Sequence, residues 1–246
     1  YGPTHYFPPN NGAPRGVGSH PHRGIETVTI AYKGKVEHHD SSGGGGIIAE
    51  GDVQWMTSGS GILHKEYHEK NFSKKGGEMQ MVQLWVNLPA KDKMTKPKYQ
   101  NINKNDLNKV DLENNVGSID IIAGKYENHK GPASTFSPLS LFNVNLNKGK
   151  GTNFSFNQNH NTGLLVIKGS ITVNNIEKVP TNHFVLFKNK GKEFTVRANE
   201  DTIILVLSGA PIDEPIASYG PFVMNTNEEI KQTIDDFNNG KFGYLD

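Results

Sequence analysis

Short segments rich in Ile, Val, Thr and Phe recur along the whole chain, separated by Gly, Asn, Lys and Pro. Apolar runs of this length, bounded by turn formers, read as β-strands, and their even cadence predicts a sandwich, barrel or double-sheet jelly roll. The run Ile25, Thr27, Val28, Thr29, Ile30 is dense in β-branched residues, and Lys33-Gly34 supplies a turn after it. An internal echo predicts two similar halves: TVTIAYKGKVEHHD at 27–40 and GLLVIKGSITVNN at 163–175 both read strand, Lys-Gly turn, strand. Glycine and two prolines interrupt the pattern in HKGPASTFSP at 129–138, which sets the expected domains at 1–133 and 134–246. The polar, Pro-broken stretch 87–110 reads as a surface loop with a helical turn. Helical periodicity occurs only near the end, where Ile230, Ile234 and Phe237 recur behind a cap at Thr226 or Asn227. Glu228 and Glu229 suit the positive end of that helix, and Asn239-Gly240 ends it. The expected fold class is therefore all-β, with two barrel or jelly-roll domains and a C-terminal helix.

Composition narrows the function classes. The chain has 246 residues, a net charge of +1 and no basic block, so no direct nucleic-acid footprint is visible. No apolar run approaches a membrane span and no secretory core is present, so a cytoplasmic protein without a membrane partner is expected. Cysteine is absent, which excludes disulfides and thiolate metal sites.

The candidate chemistry lies in two pairs, His20 with His22 in HPHRGIETVTI and His64 with Glu66 in GSGILHKE. On a strand, residues i and i+2 share a face, so each pair can aim two donor atoms at one point. Three imidazoles and a carboxylate suit Fe(II), Mn(II), Ni(II), Cu(II) or Zn(II). Octahedral coordination would leave two positions open, enough for a substrate oxygen and dioxygen. Glu26, at an even offset from His22, is read as an outer partner facing the metal rather than a ligand. His38 and His39, before a four-glycine run, read as a solvated pair in a hairpin loop. Trp55, Met56, Trp85 and Phe222 are read as cavity lining or core, with Arg23 and Gln54 as polar neighbours of the site. In the second half His160 stands in FNQNHNTG without a second histidine two residues away. That half reads as scaffold or interaction surface without a metal.

At these residues the chain resembles the pirin family, a branch of the cupins. The resemblance rests on HPHRGIETVTI at 20–30, GDVQWMTSGSGILHKE at 51–66, QLWVNLPAKDKMTKPKYQ at 83–100 and YGPFVMNTNEEIKQTIDDF at 219–237. It implies two cupin-type domains, with the C-terminal helix packed back against the first. It also implies one metal, usually iron, on His20, His22, His64 and Glu66, with Mn, Ni, Cu or Zn as alternatives. Pirin-like proteins are associated with quercetin 2,3-dioxygenase activity, so the resemblance implies a phenolic substrate and dioxygen as partners. On that reading Glu66 takes the substrate's hydroxyl proton inside a cavity walled by Val, Ile and Trp. Two other readings remain open: a non-enzymatic metal-binding regulator of transcription factors or metabolic enzymes, and a zinc-closed structural site.

Overall fold

The computed structural model describes residues 2–10 and 12–246, and these form two compact units. The first comprises residues up to 104 together with 212–246, and the second comprises 105–211.

Among its described residues the first unit contains eleven strands. Two, Ala217–Tyr219 and Phe222–Met224, pair as a hairpin in its C-terminal segment, and the other nine are β1 (Thr4–Tyr6), β2 (Gly16–His22), β3 (Ile25–Lys33), β4 (Val36–Asp40), β5 (Gly45–Ile48), β6 (Val53–Thr57), β7 (Ile62–His68), β8 (Gly77–Asn87) and β9 (Lys98–Ile102). These nine form two antiparallel sheets, ordered β1-β8-β3-β6-β9 and β2-β7-β4-β5. Hydrogen bonds from Thr29, Gln83 and Gln54 on the first sheet to Glu66 and His38 on the second show that the two sheets face each other. The arrangement is an open double-sheet jelly roll rather than a closed barrel. Between β7 and β8 a short helix, α1 (Lys70–Lys75), is capped by the Glu69 carboxylate, which accepts from the amides of Asn71 and Phe72.

The stretch expected as a loop at 87–110 instead includes β9, which pairs with β6, and a further strand, Asn108–Leu112. Pairing with β6 compensates the polar composition of that stretch, because β9 is an edge strand with one face to solvent. Lys93 in the same stretch is buried. Its ammonium donates to the carbonyls of Gly24 and Val223 and to Asn87 Oδ1, at 2.8 to 3.0 Å.

The last helix of the first unit is α2 (Asn227–Asn238), opened by a reciprocal capping box between Thr226 and Glu229. Its buried face carries Ile230, Thr233 and Asp236. Asp236 meets the Arg23 guanidinium at 2.8 Å, Thr233 lies 3.3 Å from the same nitrogen, and that guanidinium stacks 4.7 Å from the Phe242 ring centroid. The helix is thus tied to the residue immediately after His22.

The second unit pairs a six-stranded sheet with a four-stranded one. In the larger, Asn108–Leu112, Gly117–Ala123, Leu139–Leu146, Thr202–Gly209, Asn161–Lys168 and Phe184–Leu186 lie in that spatial order. The smaller holds Gly151–Ser155, Glu193–Ala198, Ser170–Val173 and Glu177–Pro180. Ile119, Phe142, Val144, Val166, Ile204 and Val206 from the larger sheet pack on Phe154, Ile171, Phe194 and Val196 from the smaller. Each such fully buried side chain contributes about 1.5–3 kcal/mol. The two Lys-Gly turns of the internal echo match, with Gly34 at φ 81° and Gly169 at φ 78°.

The expected boundary at 133/134 falls inside the second unit, because Gly117–Ala123 pairs directly with Leu139–Leu146 across it. The interruption at 129–138 is a connection within one sheet, and the C-terminal segment belongs by compactness to the first unit.

Candidate metal centre

The candidate centre is built on β7. Leu63 and Lys65 point one way and His64 and Glu66 the other, as the pleat requires. Across the ladder His20 on β2 lies opposite His64, while His38 on β4 lies opposite Glu66 and Asp40 opposite His64. Directly opposed residues share a face, so all of these side chains gather on the inner surface of the sheet. A register shift between Val17 and His20 sets His20 opposite His64 and His22 opposite Ile62, so that both histidines share the inner face.

Ring centroids of His20 and His64 are 4.1 Å apart, those of His22 and His64 4.9 Å, and those of His20 and His22 5.2 Å. One ligand atom from each of these three residues lies within 4.8 Å of the others. A second group, His38, His64 and Glu66, meets the same limit and shares His64 with the first. The structure thus groups His20, His22 and His64 in one cluster and places Glu66 with His64 and His38 in the other, His64 being common to both.

The donor atoms suit a cation. Nδ1 of His20 lies 2.8 Å from the Gly18 carbonyl and Nδ1 of His22 3.2 Å from the Pro221 carbonyl. Each contact orients its ring so that Nε2 is the remaining donor. Nε2 of His64 is buried without a hydrogen-bond partner, an atom that costs free energy unless something binds it. Burial, reinforced by the neighbouring His20, holds His22 at about 4, against the Pro221 carbonyl and Glu66. Burial likewise holds His64 at about 3, against the attraction of Glu66 and with the repulsion of His20, His22 and His38. Burial alone would push the Glu66 carboxyl up, but His38, His64 and Gln83 draw it down to about 2. At neutral pH the chain thus offers neutral His22 and His64 and an ionised carboxylate, the protonation states metal ligation requires.

The facing sheet supplies a polar wall. In one cross-strand row Asn101, Gln54, Thr29 and Gln83 lie side by side, and in the next Tyr99, Met56, Thr27 and Trp85. Gln83 Nε2 donates to Glu66 Oε2 at 2.9 Å, and Thr29 Oγ1 to Glu66 Oε1 at 3.4 Å. Of the expected Val, Ile and Trp walls, only Trp85 is found on this face. Val28, Ile30, Val53 and Trp55 occupy the alternate positions of the same strands and face the other way.

Other expectations are corrected likewise. Glu26 lies on that outer face of β3, opposite Thr57, whose hydroxyl donates to it at 2.7 Å, so it faces away from the histidine cluster. Its burial pushes its carboxyl above the usual range despite that bond. His38 is not solvated: it is fully buried, stacked on Tyr99 at 5.1 Å, and 3.0 Å from Gln54 Nε2. Burial disfavours its charged form, but hydrogen bonds to Asp40 and Glu66 outweigh that and raise its pKa. Arg23 anchors α2 rather than reaching the site, and Phe222 packs against Phe237 and Phe242. Trp85 is half exposed and sits edge-to-face with His22 at 5.2 Å, on the same side as half-buried His20. In the second unit His160 Nδ1 lies 3.4 Å from Ser208 Oγ.

A double-sheet jelly roll with a histidine and carboxylate cluster on its inner face has the form of a cupin whose cluster could hold a metal ion. The Pirin family profile matches residues 1–86, and that of the Pirin C-terminal cupin domain matches 141–243. The chain belongs to the pirin family. A Pseudomonas aeruginosa protein provisionally named quercetin 2,3-dioxygenase is 50% identical over 236 residues, spanning 96% of this chain and 82% of its own. Pirin-like protein 2 of Arabidopsis thaliana is 35% identical over 239 residues, spanning 94% and 72%. The crystal structure of a quercetin 2,3-dioxygenase from Acinetobacter baumannii superposes with a TM-score of 0.93 at 48% identity, covering 99% of this chain and 84% of that one. Among the described residues no helix is long and apolar enough to cross a membrane.

Proposed function

We propose that the chain is a metal-dependent dioxygenase of the pirin type, opening quercetin-like flavonols or related phenolics. His20, His22, His64 and Glu66 would hold one divalent cation, Fe(II) first, with Mn, Ni, Cu and Zn as alternatives. The observation that carries this reading is the convergence of three imidazoles, two with Nδ1 occupied by carbonyls and the third with a buried, unpartnered Nε2.

When bound, such a cation supplies Lewis acidity that lowers the pKa of a coordinated hydroxyl, and iron adds one-electron chemistry towards dioxygen. Glu66 is the acceptor for the substrate's hydroxyl proton: the O–H bond breaks, the pair stays on the substrate oxygen and the proton passes to the carboxylate. His38, His64 and Gln83 keep Glu66 ionised and weakly basic, which matches it to an acidified hydroxyl rather than a free phenol. Trp85 offers an indole beside His22 on which a planar phenolic can stack. The second unit, its interior filled by Ile, Val and Phe, serves as scaffold.

Iron-loaded protein incubated aerobically with quercetin should deplete the flavonol and release carbon monoxide. Loaded protein that does neither would refute this activity and favour the regulator. A Glu66→Gln variant that retains metal should lose turnover.

A further inference from the structure

Of the three imidazoles that converge, His20 and His22 have Nδ1 fixed by backbone carbonyls. His64 does not. Its Nδ1 lies 3.4 Å from Nδ1 of His38, and Nε2 of His38 lies 3.4 Å from Asp40 Oδ2. Asp40 is itself fixed, because its other oxygen accepts from the Ser42 amide, the Ser42 hydroxyl and the Gly44 amide at 2.7 to 2.9 Å. The three side chains form a buried line, Asp40–His38–His64, ending at the partnerless Nε2 of His64.

Hydrogen placement along this line is determined by its acceptor end. An ionised carboxylate only accepts, so Nε2 of His38 carries a hydrogen. Nδ1 of His38 faces the side-chain amide nitrogen of Gln54, which only donates, so it keeps a lone pair. That lone pair accepts from Gln54 Nε2 at 3.0 Å and from Nδ1–H of His64. His64 is then left with its lone pair on Nε2, facing the centre.

We propose that His38 is a positioning residue of the metal centre, which with Asp40 selects the His64 tautomer that presents Nε2 to the cation. The inference rests on the four-residue site proposed above but not on the reaction assigned to it. His38 makes no contact with substrate in this role. It does for His64 what the Gly18 and Pro221 carbonyls do for His20 and His22.

The test uses cobalt(II) and zinc(II) as probes on the full chain. Cobalt affinity, by competition with a chelator, and the visible cobalt spectrum are compared for wild type, His38→Asn, His38→Leu and the exposed control His39→Ala. Asparagine keeps an acceptor close to the place of Nδ1, whereas leucine fills the space without one. His38→Leu should bind cobalt about 10–100-fold more weakly with an altered spectrum, the usual loss when the partner of a ligating histidine is removed. His38→Asn and His39→Ala should stay close to wild type. Equal affinity and spectrum for leucine and wild type, or equal loss for leucine and asparagine, would overturn the proposal. The second readout needs no variant: in zinc-loaded wild type, histidine ¹⁵N shifts should show His38 protonated at Nε2 and bare at Nδ1. A His38 protonated at Nδ1 would overturn it. Wild type that binds neither ion would sink the four-residue site, and this inference with it, whereas bound metal without dioxygenase turnover would leave it standing.

Discussion

Removing the Asp236 carboxylate tests how the distant C-terminal helix supports the first unit. Asp236 and Arg23 form an ion pair at 2.8 Å with side-chain exposures of 10% and 4%. Asp236→Ala leaves the Arg23 guanidinium buried, with the Ser60 carbonyl, the Thr233 hydroxyl and the Phe242 ring but no anion as partners. Breaking one side of such a buried pair costs about 3–5 kcal/mol, because the remaining charge stays out of water. For a unit of this size that corresponds to a Tm lower by roughly 8–20 °C. The exposed pair Lys33–Glu50, at 3.6 Å with exposures of 46% and 55%, is the control, and Glu50→Ala should cost less than about 1 kcal/mol. Urea and thermal unfolding of metal-free protein, followed by a probe in the first unit, would give both numbers. Metal affinity should fall as well, since the segment bearing Asp236 also carries the Pro221 carbonyl that orients His22. An Asp236→Ala protein within about 1 kcal/mol of wild type, close to the control, would refute the claim that this pair anchors the helix.

Trp85→Ala should raise KM for a flavonol by about 3–10-fold, the scale of one aromatic contact, with metal content unchanged. Lost metal would instead assign Trp85 a structural role. Metal-free protein should lose stability on acidification from pH 7 to 5. Folded His22 and His64 resist protonation until about 4 and about 3, while the unfolded imidazoles protonate near 6.5. The folded state therefore binds fewer protons in that window and stability falls with pH. His38, whose pKa is raised, contributes with the opposite sign, leaving a net loss on the order of 2 kcal/mol by urea titration. A flat or rising profile would contradict the burial of these rings. His160→Ala should leave metal stoichiometry unaltered, and a lost equivalent would show that the second unit binds metal.

The parts legible in the sequence were those that depend on local periodicity. Spacing of two on a strand brings His64 and Glu66 to one face whatever the rest of the chain does, and the Thr226 and Glu229 capping box is complete within four residues. Parity failed where the strand was interrupted. Glu26 lies at an even offset from His22, but the turn at Gly24, with φ 78°, separates β2 from β3 and places them in different sheets. His38 was readable in principle: in VEHHD the buried residues are Val36, His38 and Asp40, and the hairpin turn begins only at Ser41. The glycines after it suggested a loop one strand too early. Gln54 was read as a neighbour of the site, but Thr29 and Gln83 looked like ordinary strand residues, because nothing local reveals that the facing sheet presents a carboxylate to them. The Pro221 carbonyl lies 199 residues from His22, and only the folded chain brings them together.

The most direct test of the metal centre is anomalous diffraction at the iron edge from crystals of protein loaded with Fe(II) without oxygen. One peak is predicted in the first unit, about 2.0–2.3 Å from Nε2 of His20, His22 and His64 and from a Glu66 oxygen, the range usual for such ligands. A peak bound by His38 in place of Glu66, a peak in the second unit alone, or no peak at this cluster would contradict it.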